Sequence, residues 1–165
     1  MKTYRYCAAL TVSMLLAAPA YGLDKHDLLG QWEASCEFFG SPANCAQTWR
    51  PGLHDDLLVM EYRVLAPDDG RQVFAGNLFL KQLDDHLGGY WVDSIGSMHD
   101  VHALWNESAL ESHWGSPATE QGRSRYRLSE RDELQVTDWV LTDDGWREFL
   151  SAVYRRSTES GAGPG

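Results

Sequence analysis

Positive charge is scarce in this sequence. Fourteen Lys and Arg stand against 24 Asp and Glu in 165 residues, a formal net charge of −10. Phosphate backbones are held by clustered Lys and Arg, so the balance argues against a nucleic-acid partner. Long apolar runs are also missing after the N-terminal segment, and none is long enough for a helix to span a bilayer. There is no Pro/Gly linker and no repeat of fixed period, which leaves one domain of ordinary size. The nucleophile elbow, the phosphate-cradling glycine loop, the HExxH zinc motif and paired CxxC motifs are absent too. Cysteine is limited to three residues. Apolar bulk is plentiful: 43% of residues are hydrophobic, with seven Trp, seven Tyr and five Phe. That is the composition of a chain with a core, not of a disordered one.

Residues 1–22 read as a secretory signal peptide. Lys2 and Arg5 supply the positive start, Cys7 to Ala18 the apolar stretch, and Ala18-Pro-Ala20 and Ala20-Tyr-Gly22 the small-residue exit. The apolar stretch is too short for a stable membrane anchor, the alternative reading. All 24 acidic residues and all but two of the 14 basic ones follow Gly22, so 165 less 22 leaves 143 residues with a charge of −12. Cys7 leaves with the signal. Cys36 and Cys45 remain and are expected to form a disulfide in an oxidising compartment, closing a loop of about ten residues and contributing about 2–3 kcal/mol. The alternative is a pair of free thiols. A periplasmic or secreted location follows from the signal.

The mature chain reads as strand after strand. Leu23–Leu29 forms at most one short helical turn with Asp24 as its cap. Gly30-Gln-Trp32 opens the first extended segment. In Leu57–Leu65 (LLVMEYRVL), Leu58, Met60, Tyr62 and Val64 share one face at period two. Pro67-Asp-Asp-Gly70 is a turn. Gln72–Leu83 then alternates, with Phe74, Gly76, Leu78 and Leu80 on one side. Further strands are expected at 90–95, 101–105, 109–114, 124–128, 134–141 and 146–155. Residues 157–165 lack apolar weight and are expected to be disordered. About nine strands joined by short turns pair with their sequence neighbours. A sheet of that length leaves no bare edges if it closes, so an all-β up-and-down antiparallel barrel of about 8–10 strands is expected over residues 23–156. A two-sheet sandwich is the alternative.

Several of these segments resemble a known family. Leu29-Gly-Gln-Trp32 is similar to the glycine-x-tryptophan opening of the calycin barrels, the lipocalins and their relatives. Arg155 and Arg156 end the last strand, where calycins place an arginine over that tryptophan. Thr137-Asp-Trp139 is similar to the lipocalin threonine-aspartate-tyrosine motif. Tyr90–Ser94, Thr137–Gly145 and Phe149–Arg156 look more like an uncharacterised bacterial secreted calycin-like family, a domain of unknown function. The resemblance spans residues 28–156. It implies a lipocalin-like barrel sealed by a lock of Trp32 with Arg155 or Arg156, a cation–π contact of about 0.5–2 kcal/mol.

A barrel of this size can hold a small ligand. Tyr62, Trp91, Trp105, Tyr126 and Trp139 lie inside expected strands and are candidates to line its cavity, each with ordinary core packing as the alternative. Asp93 interrupts an apolar strand, as do Glu61 and Arg63. Turned inward, such a group is a ligand handle or a pKa-shifted catalyst; turned outward, it is a solvated face. Glu111 and His113, two apart, share a strand face and are candidates for an acid/base pair or for a solvated outer face. His99, His102 and His113 fall in one stretch, but strand positions three apart face opposite sides, so no metal site is expected. No cofactor is indicated.

The expected function is therefore an exported calycin-like barrel binding a small, largely apolar molecule, with Tyr62, Trp91, Asp93, Trp105, Glu111, His113 and Trp139 at the site. The alternatives are a small barrel enzyme, an isomerase or lyase working through Glu111, His113 or Asp93, and a filled barrel serving as a structural module. The sequence is silent on oligomeric state.

Overall fold

The computed structural model describes residues 23–157. The expected signal peptide, and all of the expected tail except Ser157, lie outside the described residues. One short helix, α1 (Lys25–Leu28), precedes ten strands: β1 (Gly30–Phe38), β2 (Ser41–Pro51), β3 (Leu57–Leu65), β4 (Gln72–Gln82), β5 (Leu87–Asp93), β6 (Met98–Asn106), β7 (Ala109–Gly115), β8 (Gln121–Leu128), β9 (Glu133–Thr142) and β10 (Gly145–Arg156). Each strand pairs antiparallel with its sequence neighbours, and β1 pairs with β10, so the sheet closes into a barrel. The sandwich alternative is thereby excluded.

One strand, β2, was not separately legible in the sequence. It follows β1 through a two-residue loop, Phe39-Gly40, flanked by the Phe38–Ser41 pair. Phe39 and Gly40 have φ of 49° and 80°. Positive φ at both central residues matches the right-handed twist of the flanking strands and makes the tightest hairpin connection. A phenylalanine in that position, followed by Pro42, does not look like a turn leading into a strand.

Strand alternation sorts side chains into an inner and an outer set. In β3, Leu58, Met60, Tyr62 and Val64 are all buried, while Glu61 and Arg63 pair with each other on the outer face. In β9 the inward set is Leu134, Val136, Asp138 and Val140, and in β6 it is His99, Val101, Ala103 and Trp105.

The two mouths of the barrel differ. At one, Asp24 caps α1 through a reciprocal capping box with Asp27. Leu23 and Leu28 are inserted into the core together with Trp32, Trp49, Leu80, Leu110, Leu134 and Tyr154. The Trp32 indole donates to the Leu28 carbonyl at 2.7 Å. Arg156 stacks over the Trp32 ring, 4.2 Å from its centroid, and donates to the carbonyls of Leu29 and Asp27 at 2.7 and 2.8 Å. Its partner in the sequence reading, Arg155, points outward to Glu133. Among the described residues the opposite mouth has no such plug, and it is rimmed by Phe38, Phe39, Phe74 and Phe149.

The disulfide Cys36–Cys45 is present. It runs diagonally across the β1–β2 hairpin, where Cys36 sits opposite Ala43 and Cys45 opposite Ala34. The β1–β10 seam beside it is short, with residues in register at Trp32–Arg156 and Glu33–Arg155. The β1–β2 loop touches β10 where Phe39 N–H donates to the Phe149 carbonyl at 3.0 Å.

Candidate functional site

The open mouth leads to a cavity of about 400 Å³. Its floor is Gln47, Met60, Leu78 and Tyr126; its walls carry Tyr62, Trp91, Val101 and Trp114. Glycine makes room for the two indoles. Trp91 lies against Gly76, and Trp114 against Gly122, so closely that neither position has space for a Cβ. Phe74 stacks on Trp91 at 6.2 Å, and Tyr62 packs against both rings at 6.2 and 6.3 Å. One wall is thus a continuous aromatic surface.

The other wall is polar. Ser112 of β7 lies opposite Ser124 of β8, which lies opposite Asp138 of β9. The three form a row across adjacent strands, all facing inward. Asp138 Oδ1 is inaccessible to solvent and has no hydrogen-bond partner in the protein. Burial pushes the Asp138 carboxyl up to about 7, with Ser124 pulling it part of the way back. The Tyr62 and Tyr126 hydroxyls are pushed well above their ordinary range, first by burial and further by the Asp138 charge. Tyr154 beneath them is raised for the same two reasons. His99 adds a second buried polar atom, Nδ1, without a partner, and its ring packs on Trp114 at 5.2 Å.

Of the residues singled out in the sequence, Tyr62, Trp91, Asp93 and Tyr126 border this cavity. Asp93 stands at the rim with both oxygens engaged. Oδ1 accepts from the Ile95 and Ser97 backbones at 3.1 and 2.9 Å, and Oδ2 from the Trp91 indole at 3.2 Å. It holds a turn and orients Trp91. Trp105 also faces inward but packs into the core on the plugged side. Glu111, His113 and Trp139 are on the outer face. Glu111 accepts from Arg125 at 2.8 Å, and the His113 ring stands 6.5 Å from Trp146. Trp139 and Trp146 sandwich the Arg123 guanidinium at 4.6 and 4.9 Å. Glu111 and His113 share a face as their spacing requires, but it is the face away from the cavity. His102 also points outward and stacks on His86 at 4.5 Å, apart from His99. Among the described residues no group of three or more His, Cys, Asp or Glu is placed to hold a metal ion.

The sequence reading missed Asp138, Ser112, Ser124 and the cavity role of His99. A usable signal existed. Asp138 has the same parity as Leu134, Val136 and Val140, so an apolar strand face carried a lone carboxylate. Trp139 next door, a candidate as an aromatic inside an expected strand, has the opposite parity.

The fold and site define a closed ten-stranded antiparallel barrel with one mouth plugged and an aromatic cavity behind the other. Among solved structures, the chain is similar to the crystal structure of Rv2717c from M. tuberculosis, with a TM-score of 0.63 and 14% identity, covering 79% of this chain and 93% of that one. At that identity the likeness establishes a shared fold. No protein-family model matches the chain, and no curated protein does.

Proposed function

We propose that this protein is an exported, calycin-like barrel that binds a small, largely apolar molecule in its interior. The observation that carries the reading is the cavity of about 400 Å³ behind the open mouth, with aromatic walls and a few polar tips. That volume and lining are typical of small-molecule sites. The Arg156–Trp32 stack over the plugged end supports the calycin-like reading, together with the G-x-W opening. The Cys36–Cys45 bond supports export, because such bonds persist in oxidising compartments. Tyr62, Trp91 and Asp93 belong to this site in the proposal, and Tyr126, Trp114 and Asp138 join them. Glu111, His113 and Trp139, on the outer face, are not part of it, so of the three acid/base candidates for an enzyme only Asp93 borders the cavity.

The test is a titration of the purified mature protein with N-phenyl-1-naphthylamine, a neutral apolar fluorophore, alongside native mass spectrometry of protein isolated from its source. Saturable one-to-one binding with blue-shifted emission, or a mass adduct lost on denaturation, is expected. Linear, non-saturating emission and an adduct-free mass would refute the reading. Intact mass also checks export, since the mature chain should begin at Leu23.

A further inference from the structure

The cavity's charge is one-sided. Its described lining includes three carboxylates, Asp93, Glu120 and Asp138, and neither Lys nor Arg. Asp93 is committed to its turn and to Trp91. Asp138 is different: it lies deep, one oxygen has no protein partner, and the adjoining hydroxyl of Ser124 is the neighbour that eases its burial. A buried carboxylate without a cation is costly, and a bound partner that supplies one relieves the cost. The rings around it add to the same preference. Tyr62, Tyr126, Trp91 and Trp114 border the space in front of Asp138, and aromatic faces attract cations.

We propose that the ligand is an amine with an apolar body, its ammonium group paired with Asp138 and its body against the Trp91–Phe74–Tyr62 wall. This rests on the reading of the cavity as a binding site. An ammonium brings several N–H donors to the Asp138 carboxylate where it borders the cavity, and meets the aromatic faces nearby. A carboxylate ligand would instead meet the three acidic groups. The Asp138 charge is felt by Tyr62 from β3, Tyr126 from β8 and Tyr154 from β10, and all three hydroxyls, raised above their ordinary range, stay neutral at ordinary pH. His99 from β6, Asp93 from β5 and Glu120 line the same space.

Three probes with one apolar body separate the possibilities: 1-naphthylmethylamine, 1-naphthylmethanol and 1-naphthoate, titrated by tryptophan fluorescence at pH 8 and low salt. The amine should bind about tenfold more tightly than the alcohol, and the naphthoate most weakly. Asp138→Asn should abolish the amine's preference over the alcohol, with a near-UV circular dichroism spectrum like the parent's showing that the variant is folded. In the unaltered protein the amine-to-alcohol ratio should fall between pH 8 and pH 5 as Asp138 takes up its proton. An amine preference that survives in Asp138→Asn, or a naphthoate that binds as well as the amine, overturns the proposal. If Asp138→Asn does not fold, a ratio independent of pH overturns it instead. Alcohol binding without amine preference defeats this inference alone, whereas failure of all three probes defeats the cavity reading with it.

Discussion

The indole of Trp91 lies flat against the backbone of Gly76, on the neighbouring strand, in space that any side chain at position 76 would claim. This contact spreads the aromatic wall sideways and keeps the cavity open. Gly76→Ala should therefore swing Trp91 inward. The expected cost is about 1–3 kcal/mol from overpacking, together with a weakened hold on apolar probes. Urea unfolding and probe titration check both effects. A variant with normal stability and affinity would mean that the indole has room to move elsewhere.

The plugged mouth predicts an asymmetry between two adjacent arginines. Arg156 covers Trp32 and donates to two carbonyls of the α1 region, while Arg155 is largely exposed beside Glu133. Arg156→Ala should cost about 2–3 kcal/mol, since it strips a cation–π contact and charge-assisted hydrogen bonds. Arg155→Ala should cost at most about 1 kcal/mol, as an exposed ion pair does. Arg156→Lys should rescue little, because an ammonium lacks the planar fork. Denaturant midpoints of the three variants decide the matter, and equal losses at 155 and 156 would contradict the assignment.

Asp138 predicts a pH dependence with a definite sign. Its carboxyl is raised from the ordinary 3.8 to about 7 in the folded protein. Between those values the folded state holds a proton that the unfolded state has lost. The stability from this group is therefore complete below about pH 4 and falls as pH rises, by about 1.4 kcal/mol per pH unit, until it levels off near pH 7. Other carboxylates add their own slopes, so the measurement is the difference between the parent and Asp138→Asn across pH 4–8. A difference that is flat with pH would show that Asp138 is ionised throughout.

The disulfide predicts a localised loss. Unreduced protein should weigh two hydrogens less than the thiol form. Replacing Cys36 and Cys45 by serine should lower stability by about 2–3 kcal/mol. Hydrogen exchange should rise first in β1 and β2, because beyond Glu33 the β1 edge has few register partners on β10. Exchange that rises uniformly over the barrel would argue against that edge as the weak point.

Alternation made much of the architecture readable. The inward set of β3 and the turns at 67–70 and 143–145 are as the residue pattern implies, and the barrel follows from many strands with short connections. β2 escaped because a phenylalanine occupies a left-handed turn position and Pro42 sits just inside the strand. The site was only half readable for a different reason. Period two says which residues share a face, but not which face is inside. Glu111 and His113 are together as expected, yet outside. Asp138, Ser112 and Ser124 became a row only when register set three strands side by side, a relation fixed by turn lengths and closure and not by any one segment.

With Leu23, Leu28 and Trp32 packed into one mouth, a guest using the open end arrives and departs past the same phenylalanines, Phe38, Phe39, Phe74 and Phe149. Trimming Phe39 or Phe149 would speed both passages by a similar factor, shortening residence time while leaving the dissociation constant nearly where it was. Rim and floor divide the labour: the first governs how long a molecule stays, the second how strongly it is held.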